Sequence, residues 1–156
     1  MLFRSGDDAP KLSPSEVSID SPNYLPDTYV EAQDAKLDVY RRLSRVARVE
    51  EIERLRLELR DRFGPLPAPA EGMLALATLR VVGGQLGIET ILVRSDEARI
   101  TFRATAVPRM KGLSAAFHDV KFQAEVRRAV PLSLKLTRLG GAPMLDGLVR
   151  ALRSLV

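Results

Sequence analysis

The stretch from about Ala70 to Leu86 constrains this chain more than any other. Met73, Leu74, Leu76, Leu79, Val81, Val82 and Leu86 recur at helical spacing and cover nearly the whole circumference of the helix they predict. A helix that is apolar on every side offers water no face, so other elements must enclose it. It is therefore expected to be the central packing element, with Gly83-Gly84 allowing a neighbour to approach closely and Gly87 ending it. At 156 residues the chain is one domain's worth and long enough to bury such a helix without covalent staples.

Two amphipathic helices precede it. From about Glu31 to Ala47, Leu37, Tyr40, Leu43 and Ala47 recur at the helix period, with Asp27 or Thr28 as candidate caps after Pro26. Arg41, Arg45 and Arg48 share one flank of that helix, either as a solvated edge or as a contact strip for phosphates or acids. From about Val49 to Arg62, Val49, Ile52, Leu55, Leu59 and Phe63 form one arc that must face a core. Glu50, Glu51 and Glu53 suit the positive end of its macrodipole. Glu51, Arg54, Glu58 and Asp61 fall together, away from the apolar arc. Gly64, expected in a left-handed conformation, and Pro65 stop the helix. The stop has a local explanation; the acids do not.

Elsewhere the period is two. Val17 and Ile19 alternate in a short strand, "IETILVR" (88–94) and "ARITFR" (98–103) make a hairpin, and "KFQAEV" and "LSLKLTR" (132–138) are two further strands. A short helix is expected from Pro108 to His118 and another at the C-terminus, with Pro143 at its first position and Asp146 in its first turn. Residues 1–15 read as a flexible lead-in. Helices, then strands, then a helix make an α+β fold. We expect a single domain (16–156), its N-terminal helices packed on a mixed or antiparallel sheet with a C-terminal helix.

The residue inventory excludes much chemistry. Without cysteine there is no disulfide framework, thiol nucleophile or thiolate metal site. No Walker loop, G-x-G-x-x-G or G-x-S-x-G occurs, and His118, the only histidine, falls near the end of a short helix where a surface role suffices. No catalytic residue and no metal ligand is assigned. No apolar run approaches the ~18 residues of a membrane span, and the N-terminus lacks a signal-peptide core. Residues 1–71 carry 11 Lys+Arg against 14 Asp+Glu, whereas residues 72–156 carry 13 against 6. Arg103, Arg109, Lys111, Lys121, Arg127 and Arg128 thus offer candidate phosphate contacts in the second half. With no Trp and 5% aromatic residues, base-stacking platforms are poor.

One contiguous pattern is more specific. Pro26-Asp27-Thr28-Tyr29-Val30, then Lys36-Leu37-Asp38-Val39-Tyr40-Arg41-Arg42, then Glu58 to Pro67 ("ELRDRFGPLP"), stand in order, followed by "LGI" at 86–88. Over these roughly 70 residues the chain resembles the C-terminal domain of bacterial transcription-repair coupling factors; residues 89–156 match in outline only. Lys36 stands where the family usually has Arg, which removes a bidentate fork at that point. The resemblance implies a regulatory module and not an enzyme. The full-length factor would be an ATP-driven translocase on double-stranded DNA that displaces stalled RNA polymerase and recruits UvrA, in the bacterial cytoplasm. Its motor, with ATP and Mg, would lie upstream, residues 1–15 being the linker from it, and this domain would need no cofactor of its own. The domain would dock on a UvrB-like module of the same protein and mask UvrA binding. Glu58 and Asp61 would face that module, with Arg54 and Glu51 beside them. Internal pairing, such as Arg54 with Glu58, is the competing reading of these acids, and Arg62 fits a structural role. The competing function is an accessory DNA-contacting domain that uses the basic second half.

Overall fold

A computed structural model describes residues 13–156. Along the chain come β1 (Glu16–Ile19), α1 (Gln33–Ser44), α2 (Val49–Phe63), α3 (Ala68–Gln85), β2 (Ile88–Val93), β3 (Glu97–Phe102), α4 (Met110–Asp119), β4 (Phe122–Arg127), β5 (Ser133–Arg138) and α5 (Met144–Arg153). The strands form one mixed sheet in the order β1-β2-β3-β5-β4, with β1 parallel to β2 and the other neighbours antiparallel. The fold is α+β, as expected.

The all-round apolar helix is buried because it separates two cores. On one side Leu79 and Val82 of α3 join the inward rows of the sheet (Ile91, Ile100, Leu134, Leu136), Leu113 and Phe117 of α4, and Leu148 and Leu152 of α5. On the other, Ala70, Met73, Leu74, Ala77 and Val81 meet Val39 and Leu43 of α1 and Ile52, Leu55 and Leu59 of α2. Of the N-terminal helices it is α3 that lies on the sheet; α1 and α2 stand behind it. The paired glycines serve the approach expected of them. A Cβ on Gly83 would strike the Ser15 hydroxyl and one on Gly84 would lie 2.5 Å from the Ser13 carbonyl. Ser15 is buried there, its hydroxyl donating to the Ile88 carbonyl (2.7 Å) and its N–H to that of Arg80 (3.0 Å). Of the lead-in expected over 1–15, residues 1–12 lie outside the described residues, while 13–15 are packed against α3.

Several local expectations are corrected. The first helix begins at Gln33 without a side-chain cap; Pro26–Val30 is instead a turn, in which the N–H groups of Tyr29 and Val30 both donate to the Pro26 carbonyl at 3.0 Å. Its buried seam is Val39 and Leu43, whereas Leu37 and Tyr40 are 48% and 38% exposed and Ala47 lies beyond its end. Tyr40 has a different task, accepting the Leu25 N–H on its hydroxyl at 2.9 Å. Gly64 has positive φ but not the left-handed α conformation (φ 90°, ψ −170°), a region open in practice to glycine alone. Pro143 sits one position before α5, as its cap residue.

Two of the recognised motifs are physically joined. The Tyr29 hydroxyl lies 3.1 Å from the Leu59 carbonyl and 2.8 Å from that of Gly64, and its ring packs on Phe63 at 5.7 Å. The last carbonyls of a helix lack intrahelical partners. The Tyr29 hydroxyl serves the carbonyl of the cap residue Gly64 in that way, so the Pro-Asp-x-Tyr-Val turn and the Phe-Gly stop are halves of one device.

Candidate docking surface

At 100° per residue, Glu50, Arg54, Leu57 and Asp61 form the ridge of α2 opposite the arc of Ile52, Leu55 and Leu59. All four ridge residues are exposed, Leu57 to 60%. On one flank of the ridge, Glu58 leans toward α1. Arg42 there donates from Nη1 and Nη2 to the two Glu58 carboxylate oxygens at 2.6 and 3.0 Å, and Arg62 adds a contact at 3.6 Å. The hydrogen bond from Arg42 is the main reason the Glu58 carboxyl is held below its ordinary value, and the same bond raises Arg42. On the other flank, Arg56 pairs with Glu53 (3.3 Å) and Glu71, and Arg153 of α5 reaches Glu53 at 3.3 Å. These charges line the cleft between α2, α3 and α5 and already neutralise one another.

The four residues singled out on α2 therefore have different circumstances. Glu58 is paired within the domain, across to α1 and not with Arg54. Glu51 is half-buried and accepts the Ala47 N–H at 3.3 Å, tying down the entry to the helix. Asp61 and Arg54 have no ion-pair partner among the described residues. Arg62, besides its contact with Glu58, lies over the Phe63 ring at 4.9 Å. Sequence reasoning left Arg42 and Leu57 without a role. Leu57 was findable, as the one large apolar residue of α2 set against its arc; Arg42 was not, because its pairing depends on how α1 crosses α2.

The cations of the second half are divided by topology. Strands β3 and β4 run the same way on either side of β5, and α4 returns between them. Arg103 after β3, Arg109 and Lys111 at the start of α4, and Arg127 and Arg128 at the end of β4 consequently share one end of the sheet. Lys121, between α4 and β4, is at the opposite end. Arg103 is engaged, donating to the Ser13 and Pro14 carbonyls at 3.2 and 3.4 Å. Among the described residues no group of three or more His, Asp or Glu is gathered to hold a metal ion, and no helix is long and apolar enough to cross a membrane.

The family model of the TRCF domain matches residues 19–113, more than half of the chain. The chain belongs to the TRCF domain family. It is similar to transcription-repair-coupling factors of Bacillus subtilis (32% identical over 98 residues), Escherichia coli (36% over 77) and Mycobacterium tuberculosis (31% over 124). These alignments take in 63%, 49% and 76% of this chain but only 8%, 7% and 10% of the relatives, so the chain spans about a tenth of their length. Among solved structures it is similar to the crystal structure of the C-terminal domain of transcription-repair coupling factor, with a TM-score of 0.77 at 19% identity over 92% of this chain and 93% of that one. This TRCF domain thus shares that fold through its second half, where motif resemblance was weakest.

Proposed function

We propose that this TRCF domain is the regulatory, non-catalytic C-terminal module of a transcription-repair coupling factor, docking through α2 on a UvrB-like module of the same protein and masking UvrA binding. On this reading, the bacterial cytoplasmic full-length factor carries the ATP-driven DNA translocase and the contacts with RNA polymerase. The observation that carries the proposal is the α2 ridge: Asp61, Arg54, Glu50 and Leu57 are presented to solvent beside Glu58, in a helix whose opposite side is fully committed to the core. A ridge with an acid at each end, and Arg54 and one apolar residue between them, suits a partner surface that sets basic groups about an apolar pocket. Each buried charge pair lost at such an interface costs about 2–5 kcal/mol, enough to shift a closed–open equilibrium at least tenfold. Reversing Glu58 and Asp61 together to Lys in a full-length factor carrying this domain is therefore expected to expose the UvrA site and raise UvrA capture. Unchanged capture by a folded double variant would refute the masking role.

A further inference from the structure

The loop from β3 to α4 and the loop from β4 to β5 each contain Ala-Val-Pro: Ala106-Val107-Pro108 and Ala129-Val130-Pro131. Val107 and Val130 are the most exposed large apolar residues among those described, at 92% and 83%. Each is flanked by cations, Arg109 and Lys111 in one case and Arg127 and Arg128 in the other. None of these four cations has an ion-pair partner among the described residues. Four unpaired cations and the two most exposed large apolar side chains thus share one end of the sheet, whereas the unpaired cations of α1, α2 and the turn between them stand beside no comparable pair of apolar tips.

The geometry points to a second binding surface at that end, formed by the two Ala-Val-Pro loops and taking the sugar-phosphate backbone of duplex nucleic acid. Strands β3 and β4 are separated only by β5, so the two loops leave the sheet about 10 Å apart. That spacing is comparable with a duplex groove, about 6–12 Å wide, and places a basic loop against each bordering phosphate strand. Arginine supplies a planar fork that matches phosphate oxygens, and the valine tips can lie against the apolar faces of the sugars. Neither loop carries an aromatic residue on which an unpaired base would stack, which favours a duplex over a single strand. Lys121, at the far end, is excluded from this surface. The inference is independent of α2 docking, because none of its residues lies on that helix.

The test is fluorescence anisotropy of a labelled 20-base-pair DNA duplex titrated with the chain. Four phosphate contacts predict a log-log salt slope near −3.6 and about a hundredfold loss of affinity between 50 and 200 mM salt. R109Q/K111Q/R127Q/R128Q is expected to weaken binding at least tenfold at 50 mM and flatten the slope. A charge-matched control, R54Q/R60Q/K121Q/R150Q, should stay within twofold of the parent. V107S/V130S should lower affinity severalfold with the slope unchanged, since no phosphate contact is removed. The proposal is overturned by absence of binding at 50 mM salt, or by equal losses in the quadruple variant and its control, which would mean attraction by net charge alone. Binding to anionic phospholipid vesicles without binding to the duplex would also overturn it, assigning the loops to a lipid surface.

Discussion

Glu58 shows how one carboxylate can be exposed and still committed. Its pair with Arg42 is bidentate, yet both side chains keep more than a third of their surface in water (36% and 42%), so solvent screening limits the pair to about 1 kcal/mol at most. The hydrogen bond from Arg42 places its carboxyl below the ordinary value, and a depressed carboxyl contributes stability above its unfolded pKa and loses it as pH falls through the folded one. Thermal melts from pH 7 down to pH 3 should therefore show a shallower acid decline for Glu58→Gln than for the parent. Part of the decline will persist, because the Asp27 carboxyl is likewise lowered by its hydrogen bond from Lys36. Any partner that recruits Glu58 must either displace Arg42 or accept both together. Asp61, one turn on, faces no such competition.

Among the elements, α2 and α3 were legible because their patterns are unambiguous: a five-membered apolar arc, and a helix with no polar side at all. The first helix was legible in existence but not in orientation. Leu37 and Tyr40 fit the helical period as well as Val39 and Leu43 do, and only the placement of α2 and α3 decides which pair is covered. Tyr40 is drawn outward by the Leu25 N–H it accepts, a partner that no period reveals. The same blindness hid Arg42, since a cross-helix pair is set by a crossing and not by spacing. Glycines in helices make the point experimentally. In α3, Gly83→Ala should cost on the order of 1–3 kcal/mol, because the new methyl group meets Ser15 and Ile91. In α4, Gly112→Ala finds only an ordinary contact with Leu155 at 3.5 Å and should stabilise by about 0.5–1 kcal/mol. Urea denaturation of the two variants would reveal the opposite signs, although both are one substitution in one type of element.

At the scale of the whole molecule, charge is segregated along the chain but not in the same way in space: the stretch from α1 through α2 (33–63) carries nine Lys+Arg against seven Asp+Glu. The ridge, with Glu50 and Asp61 on either side of Arg54, belongs to α2, behind α3, while Arg109, Lys111, Arg127 and Arg128 occupy one end of the sheet. Docking of the ridge on a basic module would therefore rest on short-range pairs of Glu50 and Asp61, not on long-range steering. Raising salt from 50 to 300 mM is expected to leave the association rate within about threefold and to act mainly on dissociation, where the short-range pairs break. Surface-immobilised module and stopped-flow mixing would separate the two rates. The position of α3 carries this further. Leu74 and Leu79 belong to one helix but to different cores, so neither core can be dismantled without removing a wall of the other. The domain is expected to open as one cooperative unit. A partner that grips α2 would then slow amide exchange in β3 and β5, strands it never touches.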